Sequence, residues 1–214
     1  MALVLSSALA ANAPSDELLK ALTAHDARME QYLDGHTVVM HVTGHELDSD
    51  GKVAHTTVTV LEQTRKDGQL HTKVVEAKRD GADDSEGEKE RAHKRDKENR
   101  RTESPFAARN AGKYSFVVLG TEGTTMHLGF GPKNGPEKEV LVGEAWVDTE
   151  AGEVLKMKLK PSKNPPFVDR LDMELEYDAH TDAGRMLSRF RFAGAGGLLM
   201  FKRAGDADMT FSYP

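Results

Sequence analysis

EVLVGEAWVDTEAGEVLKMKLKPSKNPPFVDRLDMELEYD, residues Glu139 to Asp178, alternates apolar and polar side chains more cleanly than any other part of the chain. Such a period of two is the mark of strands with one buried face. The stretch reads as three antiparallel strands, the first two joined by the turn Asp148-Thr149-Glu150-Ala151-Gly152. On the second strand Leu155, Met157 and Leu159 share one face, and Lys156, Lys158 and Lys160 share the other. On the third, Leu171, Met173, Leu175 and Tyr177 oppose Asp172, Glu174 and Glu176. Pairing these strands sets a lysine row beside a carboxylate row in solvent. Each exposed pair is worth only about 0.2–1 kcal/mol, so the ladder fixes register more than stability. The opposite face is continuous, flexible and apolar, and something must cover it.

Upstream, His36 to Leu47 and Val53 to Glu62 form a hairpin pattern about Asp48-Ser49-Asp50-Gly51-Lys52. Simple pairing about Asp50 places Val38, Met40 and Val42 on the same face as Val58 and Val60, and puts His45 opposite His55. The other face carries His41, Thr43 and His45 beside His55, Thr57 and Thr59. Without carboxylate or thiolate partners at fixed spacing this is a histidine-rich polar sheet face, and no metal is expected there. A third strand runs from Leu70 to Lys78. Earlier still, Leu18, Leu22, Met29 and Leu33 lie on one helical stripe, with Ser15 as cap, Asp16 and Glu17 at the positive end, and Gly35 as terminator. The apolar sheet face is the natural partner for this helix.

Between Lys78 and Glu103 acids and bases are evenly matched and apolar residues almost absent, in KRDGADDSEGEKERAHKRDKENRRTE. An exposed helix with i,i+4 pairs or a solvated, partly disordered connector both fit this composition. Strands resume after Pro105-Phe106: Lys113 to Gly120, Thr124 to Gly131, the opening stretch, then Arg185 to Ala193, Gly197 to Arg203 and Ala207 to Tyr213. Phe190 and Phe192 are inward candidates, and glycines at 194, 196 and 197 mark joints. The expected architecture is mainly β, with about eleven antiparallel strands and one N-terminal amphipathic helix.

Composition narrows the function classes. At 214 residues the chain suits one domain, over 14–214, with a charged insertion at 80–103. Hydrophobic residues are 38%, and the 19 glycines bring the total close to that of an ordinary globular chain, so a core can form. The excess of 35 acids over 29 bases, with no basic stripe among aromatics, argues against a nucleic-acid surface. Having no cysteine removes disulfides, thiol chemistry and a lipid-modified N-terminal cysteine. Residues 1–13, MALVLSSALAANA, resemble the back half of a secretory signal and imply export to the periplasm. No segment reaches the ~20 apolar residues of a membrane span. There is no G-x-S-x-G elbow, no H-E-x-x-H and no phosphate loop, and the paired acids Asp83-Asp84 sit in the charge run, so no catalytic residue is expected.

The signal-like start, the amphipathic helix, the three-strand opening, the charged middle, and Pro105-Phe106 before Tyr114-Ser115-Phe116 form a recognisable order. With the hairpin Gly143-Glu144-Ala145-Trp146-Val147-Asp148 to Gly152-Glu153-Val154 and the strand Leu171 to Tyr177, that order resembles the outer-membrane lipoprotein-sorting protein family. The family includes a periplasmic lipoprotein carrier, its lipid-anchored receptor and the lipid-sensing domain of an anti-sigma regulator. The resemblance implies an open, incomplete antiparallel β-barrel whose concave apolar face, lidded by helices, accepts acyl chains. It makes Val38, Met40, Val42, Val58 and Val60, with Leu155, Met157, Leu159, Leu171, Met173, Leu175, Phe190 and Phe192, the candidate lipid-binding surface. It implies a monomer without cofactor or metal, whose partners are a lipid or an acylated lipoprotein and possible envelope proteins. A structural or regulatory envelope module of the same fold, with a filled interior and no transported ligand, is the alternative; an enzyme is a more distant one.

Overall fold

The structure, a computed structural model, describes residues 13–66, 68–98, 104–137, 140–198 and 201–214, without the side chains of residues 98, 198 and 201–203. Of the expected leader, only Ala13 lies within the described residues. Helix α1 (Asp16–Leu33) starts where the Ser15 hydroxyl accepts the Leu18 N–H at 3.2 Å, as the cap reading requires. Strands β1 (Thr37–Leu47), β2 (Val53–Lys66), β3 (Gln69–Arg79) and β4 (Ala82–Asp83) follow, then helix α2 (Ser85–Glu98) and a short 3-10 turn, Ala108–Asn110. The remainder is β5 (Tyr114–Glu122), β6 (Thr125–Pro132), β7 (Leu141–Asp148), β8 (Glu153–Pro161), β9 (Val168–Glu176), β10 (Ala179–Thr181), β11 (Gly184–Met186), β12 (Arg189–Leu198) and β13 (Phe201–Ser212). Eleven of these strands make one antiparallel sheet in the order β4-β3-β2-β1-β13-β12-β9-β8-β7-β6-β5, which does not close into a barrel. β10 and β11 form a separate hairpin. The last strand pairs with the first, β13 lying between β1 and β12.

The quoted stretch folds as β7 to β9, and its outer ladder forms. Lys156 stands opposite Glu176 and Lys158 opposite Glu174. The Lys156 ammonium bonds the Glu174 carboxylate, and Arg191 of β12 extends the row with bonds of 3.1 Å to Glu174 and 2.6 Å to Glu176. The bond from Lys156 is the main reason the Glu174 carboxyl lies below its usual range.

Two β-bulges change which residues face inward. In the β7–β8 pair the register shifts at Trp146/Val147, so Val154 sits opposite Val147 and Lys156 opposite Trp146. Leu155 is the extra residue and is half-buried, while Val154 takes the core position at 3% exposure. In the first hairpin the shift falls at Glu46/Leu47: Leu47 pairs with Val53 and Glu46 with His55. His45 therefore faces Thr56, not His55. The one-residue slip turns Val58 and Val60, paired with Thr43 and His41, to the outer face, and Val58 is 42% exposed. Thr57, Thr59 and Leu61 take the inner positions opposite Gly44, Val42 and Met40.

The inner face carries two clusters. The larger packs Leu18 and Leu22 of α1 against Phe106, Tyr114, Leu128, Phe130, Val147, Val154, Met157, Leu159 and Tyr177, over the β5–β9 half. The smaller joins Val38, Met40 and Leu61, with Leu33 and Phe211 beside them. The charged segment yields α2, which lies on β3. Its one buried apolar residue is Ala92, at 2% exposure, and its Asp96 carboxylate accepts the Thr72 N–H at 2.8 Å and hydroxyl at 2.6 Å.

Candidate functional site

The body of α1 covers the β5–β9 half of the inner face, and its last residue, Leu33, reaches the small cluster at Val38, Met40 and Leu61. Over β2, β1, β13, β12 and the start of β9 lies a cavity of about 1150 Å³, with α2 as one wall. That volume lies just above the range typical of small-molecule sites, about 300–1,000 Å³.

The hollow exists because of what the strands place on its floor. Phe190, Met209 and Val42 stand in one cross-strand row, and Phe192 and Ala207 in the next toward the open end. Gly44 completes that second row without a side chain, and Gly194 pairs with Gly205 two positions further on, again with no side chains to fill the space. Two of the glycines are required by close backbone approach. A Cβ on Gly205 would stand 2.6 Å from the His45 carbonyl oxygen, and one on Gly196 would stand 2.1 Å from that of Phe167. Met40, Leu61, Leu70 and Leu171 complete the apolar lining, and the thioethers of Met40 and Met209 give it an adaptable surface.

Charge is confined to the wall and rim. Glu88 of α2, 7% exposed, is held by Arg95 and by Arg91, whose Nε lies 2.7 Å from the carboxylate. Arg91 also bonds Asp84. Across the mouth, Arg79 bonds Glu46 at 3.1 Å, His45 bonds Asp206 at 2.8 Å and His55 bonds Asp80 at 2.7 Å. The backbone N–H of Thr56, followed by the His55 ring, holds the Asp80 carboxyl below its ordinary range. Phe167, beside the lining residue Val168, holds a left-handed backbone (φ 66°) and is 64% exposed, its carbonyl accepting the Gly197 N–H at 2.8 Å. Among the described residues no group of three His, Asp or Glu side chains could hold a metal ion.

Of the residues expected on the binding face, Met40, Val42, Leu171, Phe190 and Phe192 line this cavity. Val38 is buried in the small cluster beside it. Met157 and Leu159 lie in the filled core beneath α1, with Met173 and Leu175 packed against them. Leu155 falls on the bulge, and Val58 and Val60 face outward. The hollow is thus beside α1 and not beneath it. Sequence reasoning missed Met209, Ala207, Thr59 and the arginines of α2. The glycines on alternate positions at 194 and 196 were the available signal, since small residues repeated on one face of a strand leave room above it.

No protein-family model matches the chain, and no curated protein matches it in sequence. Solved structures do. An outer membrane lipoprotein-sorting protein domain from Vibrio parahaemolyticus aligns over 91% of both chains at 13% identity and a TM-score of 0.43. A DUF1329 family protein from Desulfovibrio piger aligns over 91% of both at 12% identity and a TM-score of 0.37. MucB, in the Pseudomonas aeruginosa MucA/MucB complex, aligns over 90% of this chain and 94% of its own at 10% identity and a TM-score of 0.26. These neighbours match the family that the element order resembles. At TM-scores below 0.5 no detail of a site transfers from them. No helix among the described residues is long and apolar enough to cross a membrane.

Proposed function

We propose that this chain is a non-catalytic binding protein of the bacterial envelope that holds an alkyl chain, from a lipid or an acylated lipoprotein, in the cavity between the β1–β2–β12–β13 floor and α2. The observation that carries the reading is the hollow itself: an apolar floor under about 1150 Å³ of space, open at a charged rim, in a sheet whose other half is filled. An interior serving stability alone would be filled at native packing density. Its floor favours a flexible hydrocarbon, because the apolar lining is aliphatic, thioether and aromatic. Export to the periplasm, monomeric state and service in lipid or lipoprotein trafficking belong to the same proposal.

The test is binding of a fluorescent palmitoyl probe to the purified protein. The wild type is expected to bind it and to melt at a higher temperature in its presence, by mass action. Phe192→Glu sets a carboxylate on the floor and is expected to abolish binding while the protein still folds, because water already reaches the site. No binding by the wild type would overturn the carrier reading and leave an envelope module without a transported ligand.

A further inference from the structure

The wall of the cavity is as specific as its floor. α2 presents Arg91 and Arg95, one turn apart, to an apolar space, and Arg79 of β3 and Arg170 of β9 stand elsewhere around the same opening. The lining holds three carboxylates, Glu46, Glu88 and Asp206, and two more just outside it, Asp84 and Asp172, bond Arg91 and Arg170. Each is engaged: Glu46 by Arg79, Asp206 by His45, and Glu88 by Arg91 and Arg95. Glu88 is the informative one. At 7% exposure it is a carboxylate withdrawn from water into the wall of a hydrophobic hollow, and the arginine pair holds it there. Removing ions from water is costly unless they are paired, so the pair and its counter-ion form a built oxyanion site occupied by the chain's own side chain.

On the reading that the cavity takes an alkyl chain, we infer that the ligand is an amphiphile with an anionic head, and that its carboxylate or phosphate competes with Glu88 for Arg91 and Arg95. A guanidinium carries five N–H donors, and the bonds to Glu88 and Asp84 use only part of them, so a second oxyanion can enter before the first leaves. A chain ending in an alcohol gains less there, and one ending in an amine brings a positive charge to the Arg91–Arg95 pair. Glu88 also gives the wall a resting partner, so the arginines are not left unpaired when the cavity is empty.

Displacement of the palmitoyl probe by oleate, oleyl alcohol, oleylamine and oleoyl lysophosphatidate tests this, because the chain is constant and the head varies. Oleate or the lysophosphatidate is expected to compete about tenfold better than the alcohol, and the amine worse than the alcohol; which of the two anions is tighter tells carboxylate from phosphate as the preferred head. Arg95→Gln is expected to bring the anion-to-alcohol ratio toward one. Glu88→Gln is expected to raise it several-fold, by removing the internal competitor. Both ligands are measured on each variant, so a change in folding moves them together and leaves the ratio readable. Equal competition by all heads, with Glu88→Gln leaving the ratio unchanged, overturns the inference while the acyl cavity stands. Displacement by none of the four overturns both.

Discussion

His25 is 0% exposed on α1, and its one hydrogen bond among the described residues runs from Nε2–H to the Arg185 carbonyl at 2.9 Å. Among the described residues Nδ1 has no hydrogen-bond partner, so protonating it would bury a second, unsatisfied N–H. Burial accordingly holds the imidazole below its ordinary value, against the opposing pull of Glu153. A folded-state value below the unfolded one means that the unfolded chain takes up the proton first as pH falls below about 6.5, so stability falls with it. Asp26, also buried, is displaced the other way by desolvation, and its contribution rises as pH drops toward the carboxylate range. The urea midpoint is expected to decline from pH 7 to pH 5, and His25→Gln, which keeps a donor for Arg185 without a titrating ring, to flatten that decline. An unchanged slope would remove His25 as the cause. A second residue-scale test concerns Gly152, at φ 65°, where an added Cβ would stand 2.5 Å from that of Ala21 on α1. Gly152→Ala combines left-handed strain with a clash against the docked helix, and a loss of about 1–3 kcal/mol in chemical denaturation is expected.

At the scale of elements, α2 shows how little apolar surface suffices to dock a charged helix. Ala92 is its one buried apolar side chain, and Asp96 ties the helix to Thr72 of β3, while the Glu88 network stays within the helix. Ala92→Glu is expected to lift α2 from β3, lowering the melting temperature by a few degrees at most while speeding release of the palmitoyl probe several-fold; stopped-flow release at unchanged rate would show that α2 is no wall. A single alanine every few turns lies below the threshold of any periodicity argument, which is why the segment between Lys78 and Glu103 read equally well as helix or connector. The strands of the opening stretch were legible because their signal is local: alternation survives whatever packs above it. The bulges at Glu46/Leu47 and Trp146/Val147 were not, since one extra residue leaves no compositional trace and yet reverses every side chain beyond it. Val58, Val60 and Leu155 were misplaced for that reason alone.

At the scale of the whole molecule, the same sheet is a filled core at one end and a hollow at the other, and only long-range packing decides which. Met157 and Met40 carry the same sequence signal, an apolar residue on an inward strand face; α1, Phe106 and the Tyr114–Phe130 aromatic contact fill the space over the first, and among the described residues nothing comparable crosses the glycine-bearing floor beyond the second. Local openings should therefore be unequal. The β5–β9 half, closed by the large cluster, is expected to exchange its amide hydrogens only through global unfolding, while α2, the open ends of β1 and β2, and the β12–β13 pair exchange through smaller openings. Binding an alkyl chain fills the hollow and should suppress those smaller openings selectively. Hydrogen exchange with and without the palmitoyl probe is expected to show protection gained in α2, β1, β2, β12 and β13, with β6 and β7 unchanged. Equal gains across all strands would mean that the ligand stabilises the fold only globally. Gains confined to α1 and β8 would put the chain beneath α1, within the core formed by Leu22, Met157 and Leu159, and would remove the cavity beside α2 as the site.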